Sequence, residues 1–391
     1  MKSVFFALVL GAGAAVPGGA VCLSAKGQSA EAVTAPLLEK KDVVKSDNIV
    51  WIDAARLPIE GRAFISSNRP YSRLPDDSFM RPDLRLIRPS IPCPAGMCLR
   101  FKTESKALRI RWSLGRKPPY GICNATAILT AGIDMYRWYE GEGWRFWDAG
   151  FPRRQTNELA TTWTPGVPCM IYLPISAELK TLEIGIEEGA KIEVLSSHKS
   201  GVTKPVVVYG ASMVQGFSSS RPGMVWTSVL SRSLDVPVVN QGYQGHGRFE
   251  PSMGEYLAAI DASAYCFFNC GGQMSVEEMR EKAPPFLRKL HRARPDAPIL
   301  IGEYYYVVGS KRLQSGDEKR AFARELVAAL KAEDPVFWRN LYVVEREKLF
   351  CPDDDGTIDS AHFNDRGAYR CAEAFGEVLK KALFRQDCNR F

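Results

Sequence analysis

The chain has 391 residues, 46% of them hydrophobic and 24% charged, enough for two domains with substantial cores and unlike a disordered or collagenous composition. The net charge of +7 is modest for that length, and basic residues are interleaved with acidic ones, so no nucleic-acid-binding stripe is present. The four histidines (His198, His246, His291, His362) are scattered and no Cys-x-x-Cys pair occurs, which leaves no metal-ligand pattern of the zinc type.

At the start of the chain Lys2 precedes an apolar run, residues 4–10, and then small residues ending in Gly18-Gly19-Ala20. This pattern predicts a secretory signal peptide within residues 1–25, cleaved after Ala20 or Ala25; the run is too short and glycine-rich for a membrane span. Val21 is bulkier than the residue a lipidation site prefers, so lipid anchoring at Cys22 is not expected. The mature protein is expected to be secreted or periplasmic, with no stable membrane insertion. Export permits disulfides. Of the ten cysteines, Cys93 and Cys98 close a small loop and are the expected pair, whereas Cys266 and Cys270 sit in an apolar run and are expected to be buried thiols. Residues 26–48 are polar and read as a flexible tether.

From Trp51 the texture changes to short β-prone stretches punctuated by Pro and Gly: 98–102, 107–112, 170–173 and 182–186. Residues 108–112 alternate apolar and basic, the period of a half-exposed antiparallel strand. Such spacing without helical periodicity predicts a β-sandwich over residues 49–197. The aromatic stretch from Tyr136 to Trp147 fits either a carbohydrate-stacking surface or cross-strand hairpin pairs, and the pairs are favoured.

Residues 198–203 read as a polar linker, and residues 204–391 alternate strand and helix. Strands are expected at 206–209, 236–240, 264–268, 297–302 and 341–344, with helices at 226–234, 252–260, 275–292, 319–331 and 365–383. That alternation predicts an α/β domain with a parallel sheet covered on both faces.

The chemistry gathers after the strands of this sheet. Val206-Val207-Val208-Tyr209 is a buried strand that stops at Gly210-Ala211-Ser212 and runs into a helix, which places the Ser212 hydroxyl at the sheet's carboxyl edge, where ligands of such sheets bind. Asp359-Ser-Ala-His362, just ahead of the last helix, lets a carboxylate orient an imidazole whose other nitrogen faces a serine. The glycine-rich loop from Asn240 to Gly247 offers backbone N–H groups to a developing oxyanion. A further polar loop, Asn269-Cys-Gly-Gly-Gln273-Met274, follows the third strand.

In this order the motifs resemble the SGNH (GDSL-type) hydrolase superfamily, and specifically a bacterial branch in which a β-sandwich precedes the hydrolase domain. Gly132-Ile-Asp134-Met-Tyr136 is similar to that branch's Gly-x-Asp-Leu-Tyr signature, and residues 57–62, 219–224 and 355–359 also look like it. The resemblance implies a three-layer, flavodoxin-like parallel sheet, with Ser212 as nucleophile and His362 as general base oriented by Asp359. It further implies oxyanion donors from the N–H groups of Ser212 and Gly245, an acyl-serine intermediate, and no metal or cofactor. Two positions depart from the pattern. Ala211 stands where an Asp is usual, and Gln273 stands where the family places an asparagine amide in the oxyanion hole. Gln273 carries the same amide on a longer side chain and is the candidate third donor. The expected function is an exported serine esterase that removes a short acyl group, acetyl first, from a carbohydrate or other polar ester. The alternative is a carbohydrate-binding protein whose hydrolase domain has decayed at the Gln273 block; a lipase for long acyl chains is a third, weaker reading.

Overall fold

The structure, a computed structural model, describes residues 32–33, 44–46, 48–66, 68–115, 124–304 and 316–384. The expected signal peptide, Cys22, Cys123 and Cys388 lie outside the described residues.

Among the described residues eleven strands precede the linker. They are β1 (Ala32–Val33), β2 (Val44–Ser46), β3 (Ile49–Asp53), β4 (Cys98–Thr103), β5 (Ala107–Leu114), β6 (Ile133–Tyr139), β7 (Gly143–Gly150), β8 (Thr156–Thr162), β9 (Cys169–Tyr172), β10 (Leu179–Glu187) and β11 (Ile192–Val194), with a short helix α1 (Ala127–Ala131) between β5 and β6. They form two antiparallel sheets of order β1-β11-β4-β9-β6-β7 and β2-β3-β10-β5-β8. β5 shows why they face each other: its residues alternate between half-exposed and buried, so Leu108, Ile110 and Trp112 enter the core opposite Leu99, Phe101 and Ile171. Within the aromatic hairpin Trp138 lies directly opposite Trp144 and Tyr136 opposite Phe146, both pairs edge to face, as the cross-strand reading expects.

The second half builds a parallel sheet from β12 (Val206–Gly210), β13 (Val238–Gly242), β14 (Ala264–Phe268), β15 (Ile299–Gly302) and β16 (Leu341–Val344), in the order β13-β12-β14-β15-β16. Helices α2 (Ser212–Gln215), α3 (Trp226–Leu234), α4 (Pro251–Ala259), α5 (Val276–Ala293), α6 (Gly316–Glu333), α7 (Arg346–Leu349) and α8 (Asp365–Leu383) alternate with the strands. The period of two sends Val206 and Val208 to the face covered by α3 and α8, and Val207 and Tyr209 to the face covered by α4, α5 and α6. Among the described residues no helix is long and apolar enough to cross a membrane.

Several features depart from the sequence reading. The second parallel strand begins at Val238 rather than Val236, because in register Val206 pairs with Val238 and Gly210 with Gly242, while Pro237 only accepts, from Val206 N–H at 2.9 Å. β1 and β2 pair at the sheet edges, so the expected tether is not wholly unpaired; backbone hydrogen bonds need no apolar side chains. The expected Cys93–Cys98 bridge is not made. Cys98 is a free buried thiol at the start of β4, with its backbone bonded to Glu60 on one side and in register with Tyr172 on the other, while Cys93 Sγ faces Pro89 O at 3.7 Å. Finally, part of the expected sandwich packs elsewhere: Phe64, Leu74, Leu84, Ile87 and Ile91 join the core beneath α4 and α5. Asp83 and Asp77 seal that contact by accepting from Ser252 (Oγ at 2.7 Å) and Tyr256 (Oη at 2.7 Å).

Candidate active site

β12 ends where two backbones nearly touch: a Cβ on Gly210 would lie 1.9 Å from Phe268 O, so only glycine fits. The chain then turns through Ala211 into α2, which puts Ser212 at the first helical position; Gly216, with φ of +103°, ends that single turn. Ser212 is thus lifted to the carboxyl edge of the sheet, half-exposed while Met213, Val214 and Gln215 are buried.

The histidine comes from a compact loop before α8. Ile358 N–H donates to His362 O at 3.1 Å and Asn364 N–H to Gly356 O at 3.0 Å, folding residues 356–364 back on themselves. Asn364 then caps α8 by accepting from Gly367 N–H at 3.0 Å. Inside the loop Asp359 Oδ1 accepts the N–H groups of His362 and Ala361 at 2.8 and 3.2 Å. Its Oδ2 accepts from His362 Nδ1 at 2.7 Å, and His362 Nε2 lies 2.8 Å from Ser212 Oγ. With Nδ1–H directed at the carboxylate, Nε2 is left to accept the serine proton. The three residues singled out from sequence therefore form one continuous hydrogen-bonded line.

The glycine-rich loop after β13 lies beside this line. Tyr243 N–H donates to Gly210 O at 3.0 Å, and Gln244 N–H to Gln215 Oε1 at 2.8 Å, which brings Gly245 next to the helix that bears Ser212. Neither the Ser212 nor the Gly245 N–H has an acceptor among the described residues. Asn240 does not face the site. It is fully buried, and its amide donates to Val214 O and Thr227 Oγ1 at 2.6 and 3.0 Å.

Gln273 sits exposed on the turn ahead of α5 and makes no hydrogen bond among the described residues. The turn itself is fastened, Gly271 N–H donating to Gly247 O at 2.7 Å and Lys319 Nζ to Gly272 O at 3.2 Å. The structure thus joins Ser212, His362 and Asp359, fastens the Gly245 loop to the helix that bears Ser212, and leaves the Gln273 side chain exposed with no hydrogen bond among the described residues.

Two groups escaped the sequence reading. Gln215, 1% exposed, holds the glycine-rich loop with its Oε1 and donates to Ile175 O of the N-terminal half at 2.9 Å. Asn124 Nδ2 donates to Asp359 Oδ2 at 3.1 Å. A Gln one turn after a candidate nucleophile was a readable signal; an Asn in a distant turn was not. The Gly-x-Asp motif also acquires a role. Asp134, fully buried on β6, accepts from Gly223 N–H at 2.9 Å and Arg221 Nη1 at 3.2 Å, while Tyr136 Oη accepts from the same Nη1 at 2.8 Å. The motif clamps the loop that follows α2 onto the sandwich.

Comparison with known proteins agrees with this architecture. Residues 203–380 match the GDSL-like lipase/acylhydrolase family, and residues 49–192 match the N-terminus of SGNH-hydrolase-type esterases. A GDSL-like lipase from Bacteroides ovatus is 28% identical, with a TM-score of 0.74 over 86% of this chain and 98% of that one. A salicylyl-acyltransferase from a tetracycline biosynthetic pathway is 15% identical, with a TM-score of 0.58 over 94% and 97%. A family two carbohydrate esterase from Clostridium thermocellum, in complex with cellohexaose, is 12% identical, with a TM-score of 0.52 over 75% and 94%. The latter two share the fold. None of the curated proteins compared matches the chain. With both halves matched, and with the Ser-His-Asp order in place on the parallel sheet, the chain belongs to the SGNH (GDSL-type) hydrolases, in the branch whose hydrolase domain follows a Gly-x-Asp-Leu-Tyr N-terminal domain.

Proposed function

We propose that the protein is an exported serine esterase that removes a short acyl group, acetyl first, from a carbohydrate or other polar ester. The observation that carries this reading is the unbroken line Ser212 Oγ–His362 Nε2 at 2.8 Å and His362 Nδ1–Asp359 Oδ2 at 2.7 Å. In the proposed reaction Ser212 Oγ attacks the ester carbonyl carbon as its proton passes to His362 Nε2. The oxyanion is held by the N–H groups of Ser212 and Gly245, with Gln273 as a third donor once substrate is bound. His362 returns the proton to the departing alcohol, and water, deprotonated by the same nitrogen, releases the acid from the acyl-serine. The polar-ester choice draws on the carbohydrate esterase among the structural neighbours and on the mixed charge of the chain. Export rests on the N-terminal Lys2 and apolar run.

The competing reading, a sugar-binding protein with a decayed site, draws on the exposed Gln273. It leaves the retained geometry of three matched residues without a reason.

The test is labelling by a fluorophosphonate, with the adduct located by peptide mass spectrometry. The expected outcome is an adduct on Ser212 that His362→Ala abolishes, together with faster turnover of acetyl than of octanoyl model esters. A folded protein that takes no label would sink the esterase reading and favour the sugar-binding one.

A further inference from the structure

The Ser212–His362–Asp359 line has a further polar contact that arrives from the other half of the molecule. Asn124 lies in the turn that enters α1, 235 residues from Asp359 along the chain. Its Nδ2 donates at 3.1 Å to Asp359 Oδ2, the oxygen that accepts from His362 Nδ1 at 2.7 Å, and lies 3.4 Å from that nitrogen. We propose that Asn124 is a positioning residue of the esterase site, fixing the Asp359 carboxylate in rotation behind His362, so that the N-terminal domain completes the site. The proposal rests on the esterase reading above.

The turn that carries Asn124 is anchored two residues on. There Thr126 Oγ1 caps α1 by accepting from Leu129 N–H at 3.0 Å and donates to Ser220 O at 2.6 Å. Ser220 in turn gives its N–H and its hydroxyl to the two carboxylate oxygens of Asp365, at 2.8 and 2.6 Å. Asp365 opens α8 directly behind the His362 loop. The contacts close a ring: from Asn124 to Asp359, along the loop to Asp365, through Ser220 and Thr126, and back to Asn124. Beneath it Ala95, Leu129 and Ile175 of the N-terminal half pack with Phe217 and Val225 of the hydrolase half, all at most 2% exposed. The backbone that presents the asparagine is thereby tied, through Thr126, to the packed interface.

The chemistry suits the position. A carboxylate that accepts several hydrogen bonds stays ionised, and a neutral amide adds a donor without competing for the imidazole as a cation would. Among the described residues the titratable groups in hydrogen-bond contact with the His362 ring are Ser212 and Asp359, and the nearest ring is Phe217 at 6.5 Å; the Asp365 carboxylate is turned to Ser220. Asn124 is therefore well placed to tune the pair.

The experiment measures the rate of Ser212 labelling by fluorophosphonate against pH, with thermal unfolding in parallel, for the wild type, Asn124→Ala and Asn124→Asp. Asn124→Ala is expected to slow labelling at the plateau roughly ten- to a hundredfold, the range for a lost hydrogen bond to a charged group. Asn124→Asp is nearly isosteric and sets a second carboxylate against Asp359, so the acid limb of the profile should move up by about one pH unit or more. It decides the matter if the alanine variant does not fold. Variants that keep the wild-type rate and profile, even with a lowered melting temperature, would make Asn124 interdomain glue and overturn the proposal. A wild type that takes no label at Ser212 would instead overturn the esterase reading and this proposal with it; a labelled wild type with unmoved variants overturns this one alone.

Discussion

Gln273 is the residue on which catalytic power turns in this reading, because Ser212, His362 and Asp359 already touch one another while Gln273 stands exposed on its turn. An oxyanion donor contributes only if it lies about 3 Å from the developing charge, and losing one costs on the order of a hundred- to a thousandfold in rate. If substrate draws the Gln273 amide over the site, Gln273→Ala should lower kcat by about a hundredfold with little change in KM. An unchanged kcat on an acetyl ester would leave the hole to the Ser212 and Gly245 N–H groups. The contrast with Asn124 shows what a sequence can and cannot carry at this scale. Asp359 and His362 are three residues apart, and their geometry is a property of one loop, so their spacing, read in order with the other motifs, points to the contact. Asn124 meets Asp359 through the packing of two halves, and nothing local in Asn-Ala-Thr points there.

At the scale of elements the parallel sheet was legible because its strands are unbroken apolar runs, such as Val206-Val207-Val208, and its helices keep one apolar face. The segment around Phe64, Leu74 and Ile87 was not. Its turns are short 3-10 pieces set between prolines, with no period that says which core they enter. The Gly-x-Asp motif was visible, but as a signature without a task; the clamp on Gly223 and Arg221 gives it one, with a pH signature. Burial pushes the Asp134 carboxyl up to about 6, against the pull of Arg221 and the Gly223 N–H, from an ordinary value of 3.8. Between those values the unfolded chain has lost its proton while the folded chain keeps it. The contribution of Asp134 to stability is therefore greatest below 3.8 and falls as pH rises through about 6. A shift of that size corresponds to about 3 kcal/mol. Comparing urea unfolding of the wild type with that of Asp134→Asn, which does not titrate, should show the balance moving toward the variant by up to that amount between pH 4 and pH 7.5. A gap that stays constant with pH would remove Asp134 as its source.

Across the whole molecule the two halves are joined by charge as well as by apolar packing, and the join sits where the sequence reads as a bare polar linker. The His198 side chain is only 4% exposed. Its Nε2 lies 3.0 Å from Glu60 Oε2 and its Nδ1 3.1 Å from Asp235 Oδ1. Arg100 donates to the same Glu60 oxygen at 3.0 Å and to Ser197 O at 2.8 Å. Glu60 and Arg100 belong to the sandwich side, while Asp235 ends α3 of the hydrolase side, so His198 bridges the two. Burial and the neighbouring Arg100, whose Nη1 lies 2.7 Å from Nε2, would lower the affinity of the imidazole for its proton, but the hydrogen bonds to Asp235 and Glu60 and the charge of Glu60 outweigh them and raise it above the ordinary 6.5. A group raised in this way stabilises fully below its unfolded value, and that stabilisation is lost as pH rises through the folded one. Glu60 behaves oppositely. Burial would raise it, yet His198 and Arg100 hold it below 4.5, so its share is lost as the solution turns acid. The join should accordingly be strongest at mildly acidic pH and weaken above 6.5 as His198 loses its proton. Thermal unfolding of the wild type and His198→Gln from pH 6 to pH 9 should show the wild-type advantage shrinking above 6.5, with cleavage by a protease in residues 198–203 rising in step. Parallel curves over that range would mean that His198 is neutral throughout and that the halves are held by Arg100, Glu60 and the apolar contact around Phe217.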